Sequence, residues 1–309
     1  MAAGLSFELL ACRLTFWTDR EVKFPDRASN TFRGALGFVL PEAIFRPRIE
    51  GGPSGLADAP RSFVLQTKEL DGQTIARGSF GFDLNLFDPG LEAEFKRAFE
   101  RLAERGITPA RTRLRLESWD SRRVVIPLGQ VEPVTQVRVN FETPTELKGW
   151  DGRGLTPFDV LACRLRDRIS ALKSLYGLAA PPQAPGPVGQ TSVCEGLQPA
   201  RPQSARHSFR QSVSPGAVFH APGPLEIDFK GFGERAKLVA AAGGKLVHES
   251  ARRTSSRTGM SHPLGGVTGW VEYEGELGEF LPYLRAATYT GVGRQTVWGH
   301  GRLKVEKLG

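Results

Sequence analysis

The sequence of 309 residues predicts an α+β protein made of two tandem ferredoxin-like (RRM-like) domains, the second carrying a C-terminal glycine-rich loop. Three observations lead there. Strand-like and helix-like periods follow one another in the order β, α, β, β, α, β; the same order returns in the second half; and the length suits two domains of ordinary size. The expected borders are 1–132 and 133–309, with a proline-rich insertion at 178–224 and the glycine loop at 290–302.

In the first half, residues 7–17 mix apolar and aromatic side chains in partial alternation, as a strand does. Ser29, Asn30 and Thr31 offer capping side chains ahead of Phe32, Leu36, Val39 and Leu40, which share one face of a short helix. Two strands are expected at 62–68 and 78–87, the latter placing Phe80, Phe82, Leu84 and Leu86 on one side. Residues 89–106 read as a helix, with proline at its start, glycine at its end and a stripe of Leu91, Phe95, Ala98, Phe99 and Leu102. Strands return at 111–119 and 124–127.

The second half opens with a strand at 136–142, and Thr156 and Pro157 then start a helix. Its buried side is Val160, Leu161, Leu165, Ile169, Leu172 and Leu175, with Arg164, Arg166, Arg168 and Lys173 around the remaining surface. Nine of the 22 prolines fall within 178–224, where no period can be traced, so that segment reads as a long loop. Strands are expected at 225–231, around 237–253 and at 269–273, a helix at 276–289 and a closing strand at 302–307.

Composition narrows the function classes. Hydrophobic residues at 40% and charged residues at 24% fit a globular chain, and no run of eighteen apolar residues or secretory leader pattern is present, which reads as a cytoplasmic protein without membrane partners. Cys12, Cys163 and Cys194 are odd in number and far apart, against both a disulfide framework and a CxxC metal knuckle. The formal charge of +8 favours an anionic partner, nucleic acid first, with a merely soluble arginine-rich surface as the alternative.

In the loop Thr290-Gly-Val-Gly-Arg-Gln-Thr-Val-Trp-Gly-His-Gly-Arg302, Gly291, Gly293, Gly299 and Gly301 permit positive φ and can turn N–H groups toward an anion. A dinucleotide fingerprint would need a third glycine at Thr296 and a helix afterwards, and a Walker loop a Gly-Lys-Ser/Thr ending, so no nucleotide cofactor is expected. Three more landmarks precede this loop in order: Phe32-Arg33-Gly34-Ala35-Leu36-Gly37; Phe141-Glu-Thr-Pro-Thr-Glu-Leu-Lys148; and Arg253-Thr-Ser-Ser-Arg257 leading to Pro263-Leu-Gly-Gly266. Together they resemble the RAMP superfamily of CRISPR systems, and within it the Cas6 family of endoribonucleases that process precursor CRISPR RNA.

That resemblance implies binding of CRISPR repeat RNA across the paired domains, its cleavage to crRNA and retention of that product. It implies cleavage without metal or other cofactor, by attack of a ribose 2′-hydroxyl on the neighbouring phosphate to leave a 2′,3′-cyclic phosphate. The protein must then orient the hydroxyl, move two protons and neutralise the phosphate. The family's usual first-domain histidine has no counterpart, because His207 is the first histidine in the chain. The catalytic candidates are therefore His300, between two loop glycines, His262, before Pro263, and Arg257; His207 and His220 read as loop residues. His300 has a second reading as a solvent-facing turn residue. Candidate RNA contacts are Arg33, Arg253, Arg294 and Arg302 with Gly291, Gly293, Gly299 and Gly301, while Trp298 and Tyr289 are either stacking platforms or core. Three readings remain open: the endoribonuclease, acting as a monomer or homodimer; a noncatalytic RAMP subunit that holds guide RNA in an effector complex; and a tandem-domain binder of small anions or proteins.

Overall fold

The computed structural model describes residues 5–47, 59–107, 111–177, 225–250, 252–254, 261–263 and 265–308; the proline-rich stretch 178–224, with His207 and His220, lies outside them, as does Arg257. The first half runs β1 (Ser6–Thr18), β2 (Val22–Lys23), α1 (Ala28–Leu36), α2 (Glu42–Phe45), β3 (Phe63–Gln66), β4 (Thr74–Ile75), β5 (Gly78–Leu86), α3 (Glu92–Arg105) and β6 (Arg115–Pro127). The second runs β7 (Gln136–Thr145), α4 (Phe158–Tyr176), α5 (Phe229–Ala236), β8 (Ala240–Glu249), β9 (Arg252–Thr254), β10 (Ser261–Pro263), β11 (Gly266–Glu274), α6 (Leu281–Thr290) and β12 (Leu303–Lys307).

Two four-stranded antiparallel sheets result, ordered β3-β5-β1-β6 and β12-β7-β11-β8. Numbered within each half, both have the fourth main strand beside the first and the third between first and second. That is the ferredoxin-like order, made twice.

Alternation along β1 explains how the halves join. Leu10, Cys12, Leu14 and Phe16 face α1 and α3 in the first core, whereas Phe7 and Leu9 on the other face belong to a core dominated by α4, α6 and the second sheet. Burial on both faces turns what would be a solvated sheet back into an interface. Polar groups follow suit: Lys173 Nζ donates to the Ser6 carbonyl at 2.9 Å and the Tyr176 hydroxyl to the Pro60 carbonyl at 2.7 Å.

Several expected elements change. Residues 225–231 do not form a strand; Asp228 accepts the Gly231 N–H at 2.9 Å and caps α5 instead. The two strands expected at 111–119 and 124–127 are one, β6. Ser29, Asn30 and Thr31 lie inside α1 rather than before it, and the helix start is capped from a distant loop by Asp71, whose Oδ1 accepts the Ala28 N–H at 2.8 Å. Cys12 and Cys163 are free thiols, the first buried.

The first core is organised around Phe82, fully buried, with ring centroids 4.3 Å from Phe32, 5.7 Å from Phe99 and 5.8 Å from Phe16. Truncating it removes contacts to both helices at once. Phe82→Ala is expected to cost about 3–5 kcal/mol in urea-induced unfolding; a loss below 1 kcal/mol would refute this packing.

Candidate nucleic-acid interface at the glycine loop

Helix α6 ends at Gly291, whose φ of 64° turns the chain out of the helix. The loop then folds back on itself: the Val292 N–H donates to the Gly301 carbonyl at 2.9 Å, and the Gly301 N–H to the Pro144 carbonyl at 3.1 Å. Gly301 sits at φ 72°, and a Cβ there would lie 1.9 Å from the Val292 oxygen, so no other residue fits. Gly293 is similar, with a Cβ position 2.3 Å from the Glu146 carbonyl.

Arg168 holds the loop from below. Its Nε donates to the Thr290 carbonyl at 2.9 Å and its Nη2 to Thr296 Oγ1 at 2.8 Å. Enclosure lowers the guanidinium pKa to about 10, which leaves it cationic at neutral pH. The surface placement expected for Arg168 is thus corrected. Its position three residues after Leu165 and four before Leu172 puts it on the buried arc of α4, and a cation on an apolar stripe was the readable signal.

From above, α1 of the first half closes on the loop. Ser29 Oγ donates to the Trp298 carbonyl at 2.5 Å, and the Arg33 guanidinium lies 3.5 Å from the Trp298 ring centroid and 5.3 Å from that of Phe45. Arg302 bridges Glu69 at 2.8 Å and Glu142 at 2.9 Å; Arg294 pairs with Glu146 at 2.7 Å. Three arginines expected to grip RNA are therefore engaged within the protein, Arg33 and Arg302 across the two halves.

His300 is 3% exposed, and its Nε2 lies 2.7 Å from Arg27 Nη1. A guanidinium can only donate, so Nε2 accepts and the ring is the neutral Nδ1–H form. Burial, then the Arg27 charge, lowers its pKa to about 4. Neither expectation for His300 describes this placement: it is not a solvent-facing turn residue, and its Nε2 lone pair is already taken. Asp71 lines the same small pocket, and burial pushes its carboxyl up to about 6.

The hairpin of β9 and β10 leaves the second sheet beside this junction, where Glu249 lies 3.8 Å from Arg27 and Gly266 packs on the Pro144–Thr145 backbone. Within it the register sets His262 opposite Arg253. His248 is occupied by the Gly152 carbonyl, with its ring 6.5 Å from Trp150. A cleft of about 500 Å³ also separates β6 from β12; its wall holds Arg13, Arg122, Arg302 and Lys304 but also Asp83, Asp120 and Glu142, so it is mixed in charge rather than basic. Among the described residues no group of three or more His, Cys, Asp or Glu could hold a metal ion, and no helix is long and apolar enough to cross a membrane.

Folding favours neutral His300, so its contribution to stability is complete above about pH 6.5 and drains as pH falls toward 4, about 3 kcal/mol in all. Asp71, with a raised pKa, acts in the opposite sense and is common to both proteins in a comparison. The stability difference between wild type and His300→Gln, from urea titrations at pH 7.5 and 4.5, is expected to shrink at the lower pH. A constant difference would exclude the depressed pKa.

The chain matches the model of the CRISPR-associated endoribonuclease Cas6 family over residues 139–303. No curated protein sequence is significantly similar to it. Among solved structures it is similar to Thermus thermophilus Cas6, at 17% identity over 98% of this chain and 100% of that one with a TM-score of 0.52. It is likewise similar to a Cas6 in a product complex, at 18% identity over 97% and 99% of the two chains with a TM-score of 0.54. A partial Cas6-RT-Cas1–Cas2 complex aligns at 11% identity over 97% of this chain and 46% of that one, TM-score 0.55. At such identities the likeness is one of fold, in keeping with the two ferredoxin-like sheets of the described residues. With more than half of its residues matched by the family model, the chain belongs to the CRISPR-associated endoribonuclease Cas6 family.

Proposed function

We propose that this protein cleaves CRISPR repeat RNA to crRNA by metal-independent attack of a ribose 2′-hydroxyl, leaving a 2′,3′-cyclic phosphate. The observation that carries the reading is the family match over the second half, which spans the glycine loop clasped onto α1. In this reading the chain divides at 132/133, between β6 and β7, and both halves contribute to one RNA surface.

The residues divide by role. His300 and Arg27 act as positioning residues that fix the loop against α1, and Arg168 holds it from the other side. Proton transfer falls to His262, which its register sets across from Arg253, with Arg257, five residues before His262 in the sequence, supplying charge for the phosphate. RNA reaches them over the glycine loop at Gly293 and Gly299; Gly291 and Gly301, expected to share that contact, are buried with their N–H groups bonded to the Ala287 and Pro144 carbonyls, and shape the loop instead.

One observation favours the second reading, a noncatalytic subunit holding guide RNA: both histidines with described side chains, His248 and His300, have a ring nitrogen occupied by the protein. Incubation with synthetic repeat RNA in EDTA separates the two. A discrete product ending in a cyclic phosphate, slowed about 100-fold or more by His262→Ala with RNA affinity retained, is expected. Tight binding of RNA that stays intact would establish the noncatalytic reading, and equal rates for wild type and His262→Ala would remove that residue from proton transfer.

A further inference from the structure

Helix α1 has two working faces. Ser29 and Arg33 point to the glycine loop, while Thr31, Gly34, Ala35 and the following Phe38 fall on the opposite side of the 3.6-residue period and line a separate groove of about 530 Å³. Phe38 is 80% exposed, an aromatic ring left in water beside an open concavity. At Gly34 the groove has room to spare, since a Cβ there would meet nothing within 4 Å.

The opposite wall has an apolar base, Leu102 and Ile107, and two cations. Arg105, in the last turn of α3, and Arg111 both line it, and no carboxylate does. Neither arginine forms an ion pair among the described residues. Arg111 adopts φ 50°, and the chain returns so close to Gly106 that a Cβ on that glycine would lie 2.4 Å from the Arg111 carbonyl group. Glycine at 106 is what lets the chain bring a second cation beside the first.

An exposed ring that shares one groove with two guanidinium groups and no carboxylate complements a nucleotide: the base stacks on the aromatic face and the phosphate takes the arginines. A protein segment would need an apolar and an acidic side chain in matching places, whereas every nucleotide of a single strand carries both parts. We propose that this groove is a second RNA subsite, binding one unpaired nucleotide of the repeat RNA, with its base on Phe38 and its phosphate at Arg105 and Arg111. The assignment rests on the RNA-processing reading above and adds to it a contact on the far side of α1.

The test is fluorescence anisotropy of the full chain with synthetic repeat RNA from the source genome's CRISPR array, 2′-deoxy at the cleavage position so that binding is read alone. Phe38→Ala is expected to weaken binding roughly 10-fold or more, and Phe38→Trp to restore it. Gly34→Leu should block the groove to similar effect while improving helix propensity, so that its thermal melt is unchanged or raised. The Arg105→Ala/Arg111→Ala double variant should weaken binding and flatten the dependence of log affinity on log salt by about 1. Full affinity in both Phe38→Ala and Gly34→Leu, with wild type binding normally, would overturn the subsite and leave the RNA-processing reading standing. Weakening by the arginine variant alone would equally overturn base stacking. Failure of wild type to bind repeat RNA in a salt-dependent way would overturn both readings.

Discussion

A helix that ends inside a protein must find donors for its last carbonyls, and in this chain the end of α6 finds them in three different places. The Ala287 carbonyl is met by the Gly291 N–H, that of Thr288 by Gln66 at 2.7 Å, that of Tyr289 by Asn85 at 2.9 Å, and that of Thr290 by Arg168 at 2.9 Å. Gln66 and Asn85 belong to the first sheet, so the two halves are joined at the point where the glycine loop begins. An unmet buried carbonyl costs about 1–3 kcal/mol, which makes relative movement of the halves at this seam expensive.

The loop inherits its rigidity from that seam. Its glycines supply backbone shapes that nothing else can adopt, Arg168 pins it from the helix beneath, and Ser29, Arg33 and the Arg27–His300 pair fasten it to α1. Such a platform fixes the position of the partly exposed stretch from Gly293 to Gly299, which suits recognition of a ribose-phosphate chain. The same arrangement consumes cations: Arg302 and Arg294 answer to carboxylates, and Arg33 to aromatic rings. Attraction for a polyanion then draws on exposed cations that form no ion pair among the described residues, Lys148, Lys245, Arg105 and Arg111 among them.

Legibility differed by the kind of signal. The stripe Phe95, Ala98, Phe99, Leu102 lies in α3 as its spacing requires, because an amphipathic helix and its period are local properties. The strand expected at 225–231 failed for a local reason too: Asp228 is a helix cap, and its side chain outweighed the short apolar run. Ser29 was misread as a cap because the group that caps α1, Asp71, lies 43 residues away. His300 looked like a loop residue free to meet solvent or RNA, since nothing adjacent in the chain announces that Arg27 will cover it.

The sequence by itself determined the repeated order of strands and helices, the cores of both halves and the glycine positions of the last loop, all of which follow from periodicity and from the backbone freedom of single residues. Its landmarks also pointed to the family. Tertiary structure alone decided which charges are spent internally and which face solvent, because pairing depends on distances between segments up to 273 residues apart, as for Arg27 and His300. The sequence holds every group in this site; only folding sets which of them has a lone pair or a charge left to offer.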